Sequence, residues 1–181
     1  RVRLLDGVPA KVANRLLASL SPGGLALTST LLGYPEDSAG RLMSPEFISL
    51  RESMTVGEAL AKIRRDGLDA ETIYALPVLD DERHLIGVTG LRALVIADRE
   101  SLVGDLMNTD VRYVSTQTDQ EVAARLVSNE GLIALPVVDA EERLVGVLTV
   151  DDAMAVLEEE ESEDMALQGG RSPAREPYLA M

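Results

Sequence analysis

A repeated block of sequence constrains this chain more than any other feature. Residues 75–80 read Ala-Leu-Pro-Val-Leu-Asp, and residues 134–139 read Ala-Leu-Pro-Val-Val-Asp. Residues 85–88, Leu-Ile-Gly-Val, are likewise repeated as residues 144–147, Leu-Val-Gly-Val. Two further landmarks, which are short matching segments, lie upstream in the same order in both copies. Because the landmarks recur at a spacing of about 60 residues, they indicate two copies of one structural unit.

Each copy also carries the signature of a helix start. Thr55 is followed three residues later by Glu58, and Thr118 is followed three residues later by Glu121. In such a capping box, the hydroxyl and the carboxylate satisfy backbone N–H groups that have no partner within the helix. The sequence therefore predicts an amphipathic helix after each threonine.

We expect each of these helices to end at a glycine, and two β-rich runs follow it. Glycine just past a helix end tolerates the left-handed conformation that closes it. A polar stretch joins the two runs and a further helical pattern follows, so the unit is strand, helix, strand, strand, helix. Neither unit can cover its own sheet face, so we predict that the copies pack together in an α+β fold. The glycines are Gly67 and Gly131, and the predicted strands span residues 73–79, 85–89, 133–139 and 144–149.

The segments that flank the repeats differ in character. Residues 9–20 and 22–32 show helical apolar spacing with a proline near each first turn, which predicts a helical hairpin. At the other end, a long acidic helix is predicted over about residues 150–167, before Gly169. The proline-interrupted remainder is expected to be a linker.

The charge balance narrows the possible partners and functions. With 31 acidic and 17 basic residues, the formal net charge is −14 at pH 7. This charge repels phosphate backbones and anionic lipids, so we expect no nucleic acid partner. We also expect no membrane insertion by this segment, because no window approaches the roughly 18 consecutive apolar residues of a spanning helix. Without cysteine, a phosphate loop or a Gly-x-Ser-x-Gly elbow, the sequence predicts that the chain is not an enzyme.

Residues 158–164, Glu-Glu-Glu-Glu-Ser-Glu-Asp, hold the largest concentration of charge. Such a run is often only a solvated helix face. Glutamates three or four residues apart nevertheless repel one another, by about 2–3 kcal/mol for carboxylates ~6 Å apart at an effective dielectric near ~20. Magnesium takes oxygen ligands and keeps several waters, so such an ion would relieve the repulsion. The single histidine, His84, lies in a predicted hairpin turn, where we expect it to be exposed and not a ligand.

The repeated units resemble CBS motifs, and the Thr-x-x-Asp pattern of Thr149 and Asp152 resembles the close of such a motif. More specifically, residues 34–43 resemble the junction by which MgtE magnesium transporters enter their CBS pair, and residues 157–165 resemble the helix that follows the pair. The resemblance therefore implies a tandem CBS pair between two helical elements. The implied boundaries are 1–40 for the end of a helical N-terminal domain, 41–152 for the CBS pair (repeats 41–98 and 103–152), 153–167 for a connecting helix and 168–181 for a linker.

The resemblance to MgtE transporters also implies a function. It implies a cytoplasmic, Mg²⁺-sensing regulatory region that gates ion flux by Mg²⁺-dependent compaction. It further implies a homodimer at the cytoplasmic side of the cell membrane, joined to a transmembrane pore domain of the same full-length protein. The chain starts without a methionine, and we expect it to be an internal piece of that protein.

The implied metal ligands are the positions that match the ion-binding residues of the MgtE family. Three of them have another possible role, because acidic residues in a first helical turn cap the helix and interact favourably with its dipole. One acidic position of the family falls on Gly131 in this chain. The matching positions, with Mg²⁺ as the cofactor, are Asp119, Glu121, Asp152, Glu160, Glu163 and Asp164.

An adenine-nucleotide sensor is the alternative on the same fold, because many CBS pairs bind adenosine ligands. Arg92, Thr149 and Asp152 are the candidate contacts. In the first copy, Gly90 and Ala93 stand where the ribose-binding Thr-x-x-Asp pattern would lie. The two positions from which an aromatic side chain could stack on adenine hold Ala75 and Leu132. We therefore expect ATP and AMP to bind weakly. A dimerisation module without a physiological ligand is the third alternative.

Overall fold

The structure is a computed structural model that describes residues 33–169, with side chains as far as residue 162. The predicted helical hairpin over residues 9–32 and residues 170–181 of the predicted linker lie outside the described residues. The helices, in chain order, are α1 (Ala39–Leu42), α2 (Val56–Asp66), α3 (Leu91–Ile96), α4 (Val103–Leu106), α5 (Gln120–Glu130) and α6 (Val150–Gly169). The strands are β1 (Ala75–Leu79), β2 (Leu85–Gly90), β3 (Val114–Ser115), β4 (Ala134–Val138) and β5 (Leu144–Thr149).

Two antiparallel hairpins, β1 with β2 and β4 with β5, form the centres of the two repeats. Both hairpins shift register at the same place, after Val78 in the first and after Val137 in the second. In the second repeat, β3 adds a short parallel strand beside β4. Leu50 takes the corresponding place in the first repeat through an isolated parallel bridge to Val78. The internal repeat of the sequence is therefore a repeat of the structure.

The two long repeat helices begin in different ways. Thr55 and Glu58 form the predicted capping box at the start of α2, with a distance of 2.8 Å from the backbone nitrogen of Thr55 to the Glu58 carboxylate. At α5 the predicted box of Thr118 and Glu121 is wrong, because Asp119 is the N-cap. Its Oδ1 accepts hydrogen bonds from the backbone nitrogens of Glu121 and Val122, at 2.9 and 3.1 Å. A single carboxylate thus satisfies two free N–H groups, and the helix starts one residue later than predicted.

The ends of these helices also differ. Gly131 closes α5 in the predicted left-handed conformation, with a φ of 62°. Gly67 closes α2 with a φ of −71°, so the predicted left-handed cap is wrong at this position. A Cβ at Gly67 would nevertheless lie 2.5 Å from the carbonyl oxygen of Ile63, so a close backbone approach accounts for glycine there.

Each repeat has its own buried apolar cluster, and each cluster receives a side chain from the opening segment of the other repeat. Met43, in the segment that opens the first repeat, is buried with Val137 and Leu148 of the second. Met107, in the segment that opens the second repeat, packs against the cluster of the first repeat that contains Leu50 and Val78. The two repeats therefore complete each other's cores, as the uncovered sheet faces predicted.

The hairpin turns of the two repeats also meet. The backbone nitrogen of Leu144 donates to the carbonyl of Arg83 at 3.0 Å, and the Arg83 guanidinium donates to the carbonyl of Leu144 at 3.1 Å. His84 forms an isolated antiparallel bridge with Arg143. No helix within residues 33–169 is both long enough and apolar enough to cross a membrane.

Candidate functional site

The acidic helix α6 packs against α5 of the second repeat. It follows β5 without a loop, and its buried residues Ala153 and Val156 join the same apolar cluster as Ala124 and Val127 of α5. Its first turn carries Asp151 and Asp152, where negative charge is favourable to the helix dipole. These buried residues hold α6 against α5, so polar side chains of the two helices lie along a shared cleft.

A cleft of about 130 Å³ lies along this contact. Its walls carry three carboxylates and one guanidinium, which give a formal net charge of −2. Its volume suffices for an ion together with several waters, since one water takes about 30 Å³ in the liquid. The cleft therefore attracts cations. Its lining residues are Glu121, Arg125, Ser128 and Asn129 from α5, and Leu157, Glu160 and Glu161 from α6.

Glu121 and Arg125 form an ion pair across one turn of α5. The Nε of Arg125 donates to Oε1 of Glu121 at 2.8 Å, and a terminal nitrogen of Arg125 contacts the same oxygen. The Arg125 side chain is 65% exposed, so the pair is a surface ion pair and contributes little to stability. A cation in the cleft would compete with Arg125 for Glu121 at a small cost in free energy.

The predicted ion-binding residues are only partly brought together. Glu121 and Glu160 line the cleft, and Glu161, which the sequence did not single out, lines it too. Asp119 caps α5, and Asp152 lies at the start of α6, where the hydroxyl of Thr149 is 3.2 Å from its carboxylate. The side chains of Glu163 and Asp164 lie outside the described residues.

The cleft carboxylates do not form a set of direct ligands as they stand. Among the described side chains, the group of three donors that lie close enough to hold an ion, within 4.8 Å of one another, is formed by Asp80, Glu82 and His84. Magnesium usually keeps several of its waters and contacts only one or two carboxylates. The lining of the cleft therefore fits a hydrated Mg²⁺ better than a metal that needs a closed set of protein ligands.

The candidate nucleotide contacts are separate. Arg92 is exposed on α3 in the first repeat. Thr149 and Asp152 lie at the junction of β5 and α6, where Thr149 is buried and Asp152 is half-buried. The structure thus places one hydroxyl and one carboxylate together at the second repeat.

Comparison with known families identifies the fold. The sequence model of the CBS domain matches residues 39–100 and 103–159, which together cover most of the chain. The chain belongs to the CBS domain family. The two matches correspond to the two structural repeats, so this is a tandem CBS pair with mixed helix and strand content.

Individual relatives narrow the resemblance to one class of CBS protein. The magnesium transporter MgtE of Thermus thermophilus is 49% identical over 151 residues, which are 83% of this chain and 34% of that protein. The crystal structure of the cytosolic domain of the Mg²⁺ channel MgtE in complex with ATP is 46% identical, with a TM-score of 0.80 over 86% of this chain and 62% of that one. The soluble part of a magnesium transporter is 34% identical, with a TM-score of 0.84 over 88% and 62%.

These similarities confirm the predicted resemblance to the cytosolic region of MgtE magnesium transporters. They also agree with the predicted localisation, since the first of these structures is a cytosolic domain. The chain spans about a third of the length of the curated MgtE relatives that it matches.

Proposed function

We propose that this chain is a Mg²⁺-sensing regulatory region of an MgtE-type magnesium transporter, and that it acts through ligand binding rather than catalysis. The observation that carries the proposal is the cleft in which Glu121 of the second CBS repeat faces Glu160 and Glu161 of α6. The similarity to MgtE proteins supports magnesium as the ion.

Mg²⁺ would act by bridging α5 and α6. Without an ion, the carboxylates of the acidic run repel one another and the Glu121 carboxylate of α5, which weakens the docking of α6. A hydrated Mg²⁺ in the cleft replaces that repulsion with a shared attraction, so it favours the docked arrangement. A ligand shifts such an equilibrium only because it binds one arrangement better than the other.

The position of α6 suits it to transmit this change. It continues directly from β5, whose Val147 pairs with Ser44 through backbone hydrogen bonds of 2.8 and 2.9 Å. The resemblance to MgtE transporters implies that α6 connects the CBS pair to the pore domain. A docked α6 would hold the pore domain of the full-length protein closed at high Mg²⁺, which is negative feedback on ion entry.

The proposed transporter region would be a homodimer. The two repeats leave apolar side chains exposed at equivalent positions, 59 residues apart. Tyr74 and Ile133, which precede β1 and β4, are 63% and 51% exposed. Val95 and Met154, on the helices after the hairpins, are 65% and 37% exposed. Two symmetric apolar patches of this kind suit a pairing of one CBS pair with another.

Adenine-nucleotide sensing is the second candidate, because one similar structure was solved in complex with ATP. Thr149 and Asp152 would supply the hydroxyl and the carboxylate that contact a ribose. Ala75 and Leu132 stand at the two positions from which an aromatic side chain could stack on adenine. We therefore expect a dissociation constant above about 10 µM, corresponding to less than roughly 7 kcal/mol of binding free energy.

Thermal unfolding with Mg²⁺, with ATP and with neither separates these functions. A ligand that binds only the folded state raises the unfolding midpoint. The proposal predicts a rise with Mg²⁺ beyond that with NaCl at equal ionic strength. A rise with ATP alone would favour the nucleotide sensor, and no rise with either would leave a dimerisation module.

A further inference from the structure

The hairpin turns of the two repeats have the same backbone but different side chains. In the first, Asp80 and His84 are joined by a backbone hydrogen bond of 3.1 Å, and in the second Asp139 and Arg143 are joined by one of 2.9 Å. Each turn has a residue with positive φ just before its last position. His84 and Arg143 therefore occupy equivalent places.

In the second turn, a permanent cation lies between two carboxylates. The Arg143 side chain is 3.0 Å from Oδ2 of Asp139 and 2.9 Å from Oε2 of Glu141. A guanidinium keeps its charge at every accessible pH, so Arg143 stays paired with both carboxylates. The second turn thus has its own built-in counter-ion.

In the first turn, the imidazole of His84 pairs with only one carboxylate. The Nδ1 of His84 is 3.0 Å from Oδ2 of Asp80. Glu82, the equivalent of Glu141, takes part in no ion pair among the described residues. Arg51 reaches this turn, but it bonds to the carboxylate of Asp81 and to the carbonyl of Asp80. The carboxylate of Glu82, unlike that of Glu141, therefore has no cation paired with it among the described residues.

The donor atoms of the first turn already converge. One donor from each of Asp80, Glu82 and His84 lies within 4.8 Å of the others. Metal–nitrogen and metal–oxygen bonds of about 2.0–2.2 Å place tetrahedral ligand atoms roughly 3.4 Å apart, so these side chains need to close by at most about 1.5 Å. His84 is 42% exposed and Glu82 is an exposed residue, which leaves both free to adjust.

We propose that Asp80, Glu82 and His84 bind a first-row divalent transition-metal ion such as Zn²⁺. An imidazole with two carboxylates suits zinc and its neighbours, whereas Mg²⁺ takes oxygen ligands. The remaining coordination positions open to solvent. From the sequence, His84 was predicted to be a turn residue and not a ligand. That prediction considered the histidine alone, without the two carboxylates that the turn places beside it. This site is separate from the cleft between α5 and α6, and it does not depend on Mg²⁺ sensing.

A metal at this turn would act on the junction between the repeats. Arg83 lies between two of the ligands in sequence, and its backbone and side chain bond to Leu144 of the second repeat. Fixing the side chains on either side of Arg83 restricts the turn that makes this contact. The ion would therefore stabilise the pairing of the two repeats.

Nuclear magnetic resonance of the imidazole tests the site directly, because His84 is the single histidine of the chain. The chain is prepared without a histidine tag, stripped with a chelator and titrated with ZnCl₂ or MgCl₂. We expect Zn²⁺ to shift the His84 ring signals at about one ion per chain, and equimolar Mg²⁺ to leave them in place. Unshifted ring signals at a tenfold molar excess of Zn²⁺ would overturn the proposal.

Two variants exchange the turns, with calorimetry as the readout. His84→Arg reproduces the second turn and should abolish Zn²⁺ binding while retaining the fold, as monitored by circular dichroism. Arg143→His places an imidazole beside Asp139 and Glu141 and should raise the stoichiometry from one ion to two. Zn²⁺ binding by His84→Arg with unchanged affinity would contradict the assignment. The absence of stabilisation by Mg²⁺, by contrast, would argue against the cleft between α5 and α6 and not against this site.

Discussion

The side chain of Met43 lies against Gly146 so closely that a Cβ at the glycine would be 2.5 Å from the sulfur of Met43. Met43 comes from the segment that opens the first repeat, and Gly146 lies in β5 of the second. The relationship is repeated at Gly87, where a Cβ would be 2.7 Å from the sulfur of Met107. Each glycine therefore admits the methionine that completes its repeat's core.

Gly146→Ala should destabilise the fold by about 1–3 kcal/mol, the usual range for inserting a methyl group into a packed core. The urea midpoint of unfolding measures the loss. Gly57→Ala is the matched control, because its Cβ would meet nothing closer than 3.4 Å and alanine favours α2. We expect the control to be neutral or up to about 1 kcal/mol more stable. A Gly146→Ala chain as stable as the wild type would contradict the packing.

Asp119 should act mainly as a helix cap. Replacement by alanine leaves the backbone nitrogens of Glu121 and Val122 without their acceptor, and we expect a loss of about 1 kcal/mol. Asn also caps well, so Asp119→Asn should stay within about 0.5 kcal/mol of the wild type at neutral pH. Chemical unfolding of both variants checks this. Equal destabilisation by alanine and asparagine would show that the charge, and not the cap, is what matters.

Local rules predicted much of the fold. The capping box at Thr55 and the glycine end at Gly131 were correct, because both depend on residues within one turn of the helix. The rule was misapplied at Thr118, where Asp119 one residue later is the better acceptor. The exchange of Met43 and Met107 between the repeats was missed, because it depends on contacts between residues about 100 positions apart for Met43 and Gly146.

Two of the residues that line the cleft could be singled out from the sequence, but the cleft itself could not. Glu121 and Glu160 were both identified from the sequence by their match to the MgtE family, yet the cleft that they share arises from how α6 packs on α5. Glu161 had no distinguishing signal within a run of glutamates. The cluster around His84 was missed for a similar reason, since a hairpin turn brings alternate residues together only when its backbone takes this particular shape.

Asp139 should make stability depend on pH in the acid range. Burial raises the pKa of Asp139, but hydrogen bonds from the backbones of Arg143 and Glu141, together with the charge of Arg143, outweigh it and hold the pKa below the usual 3.8. A carboxyl with a depressed pKa in the folded state stabilises the fold above the unfolded pKa. That stability is lost as the pH falls through the folded pKa.

Asp139→Asn should therefore be less stable than the wild type at pH 7, and the difference should shrink below about pH 4. Urea unfolding at pH 7, 4 and 2.5 measures the difference. Asp110→Asn, at an exposed position where the carboxylate has no ion pair or hydrogen bond among the described residues, controls for the general loss of one negative charge. A difference between Asp139→Asn and the wild type that stays constant from pH 7 to pH 2.5 would count against this linkage.

The proposed homodimer should depend on the apolar residues that the repeats share. Light scattering should return about twice the chain mass of 19.5 kDa for the wild type. Replacing Val95 and Met154 together by glutamate should return the monomer mass, since like charges would face each other across the symmetric contact. Leu68→Glu is the control, because Leu68 is 98% exposed and has no exposed apolar counterpart in the second repeat. If Leu68→Glu dissociated the dimer and the double variant did not, the interface would lie elsewhere.

The regulatory role rests on a Mg²⁺ ion held between α5 and α6. The decisive variant replaces Glu121, Glu160 and Glu161 by glutamine and thereby removes all three carboxylates of the cleft. Its matched control replaces Glu52, Glu71 and Glu100, three exposed glutamates outside the cleft, with the same change in net charge. Glutamine keeps the size of each side chain, so the comparison isolates the position of the charge.

The measurement is the midpoint of thermal unfolding in about 10 mM MgCl₂ against about 30 mM NaCl, which match in ionic strength and hence in screening. If Mg²⁺ binds in the cleft, the wild type and the surface control gain stability specifically with Mg²⁺, by about 1.4 kcal/mol when free Mg²⁺ is tenfold above its dissociation constant. The cleft variant gains no more from MgCl₂ than from NaCl. A cleft variant that retains the full Mg²⁺-specific gain would contradict Mg²⁺ sensing by this cleft.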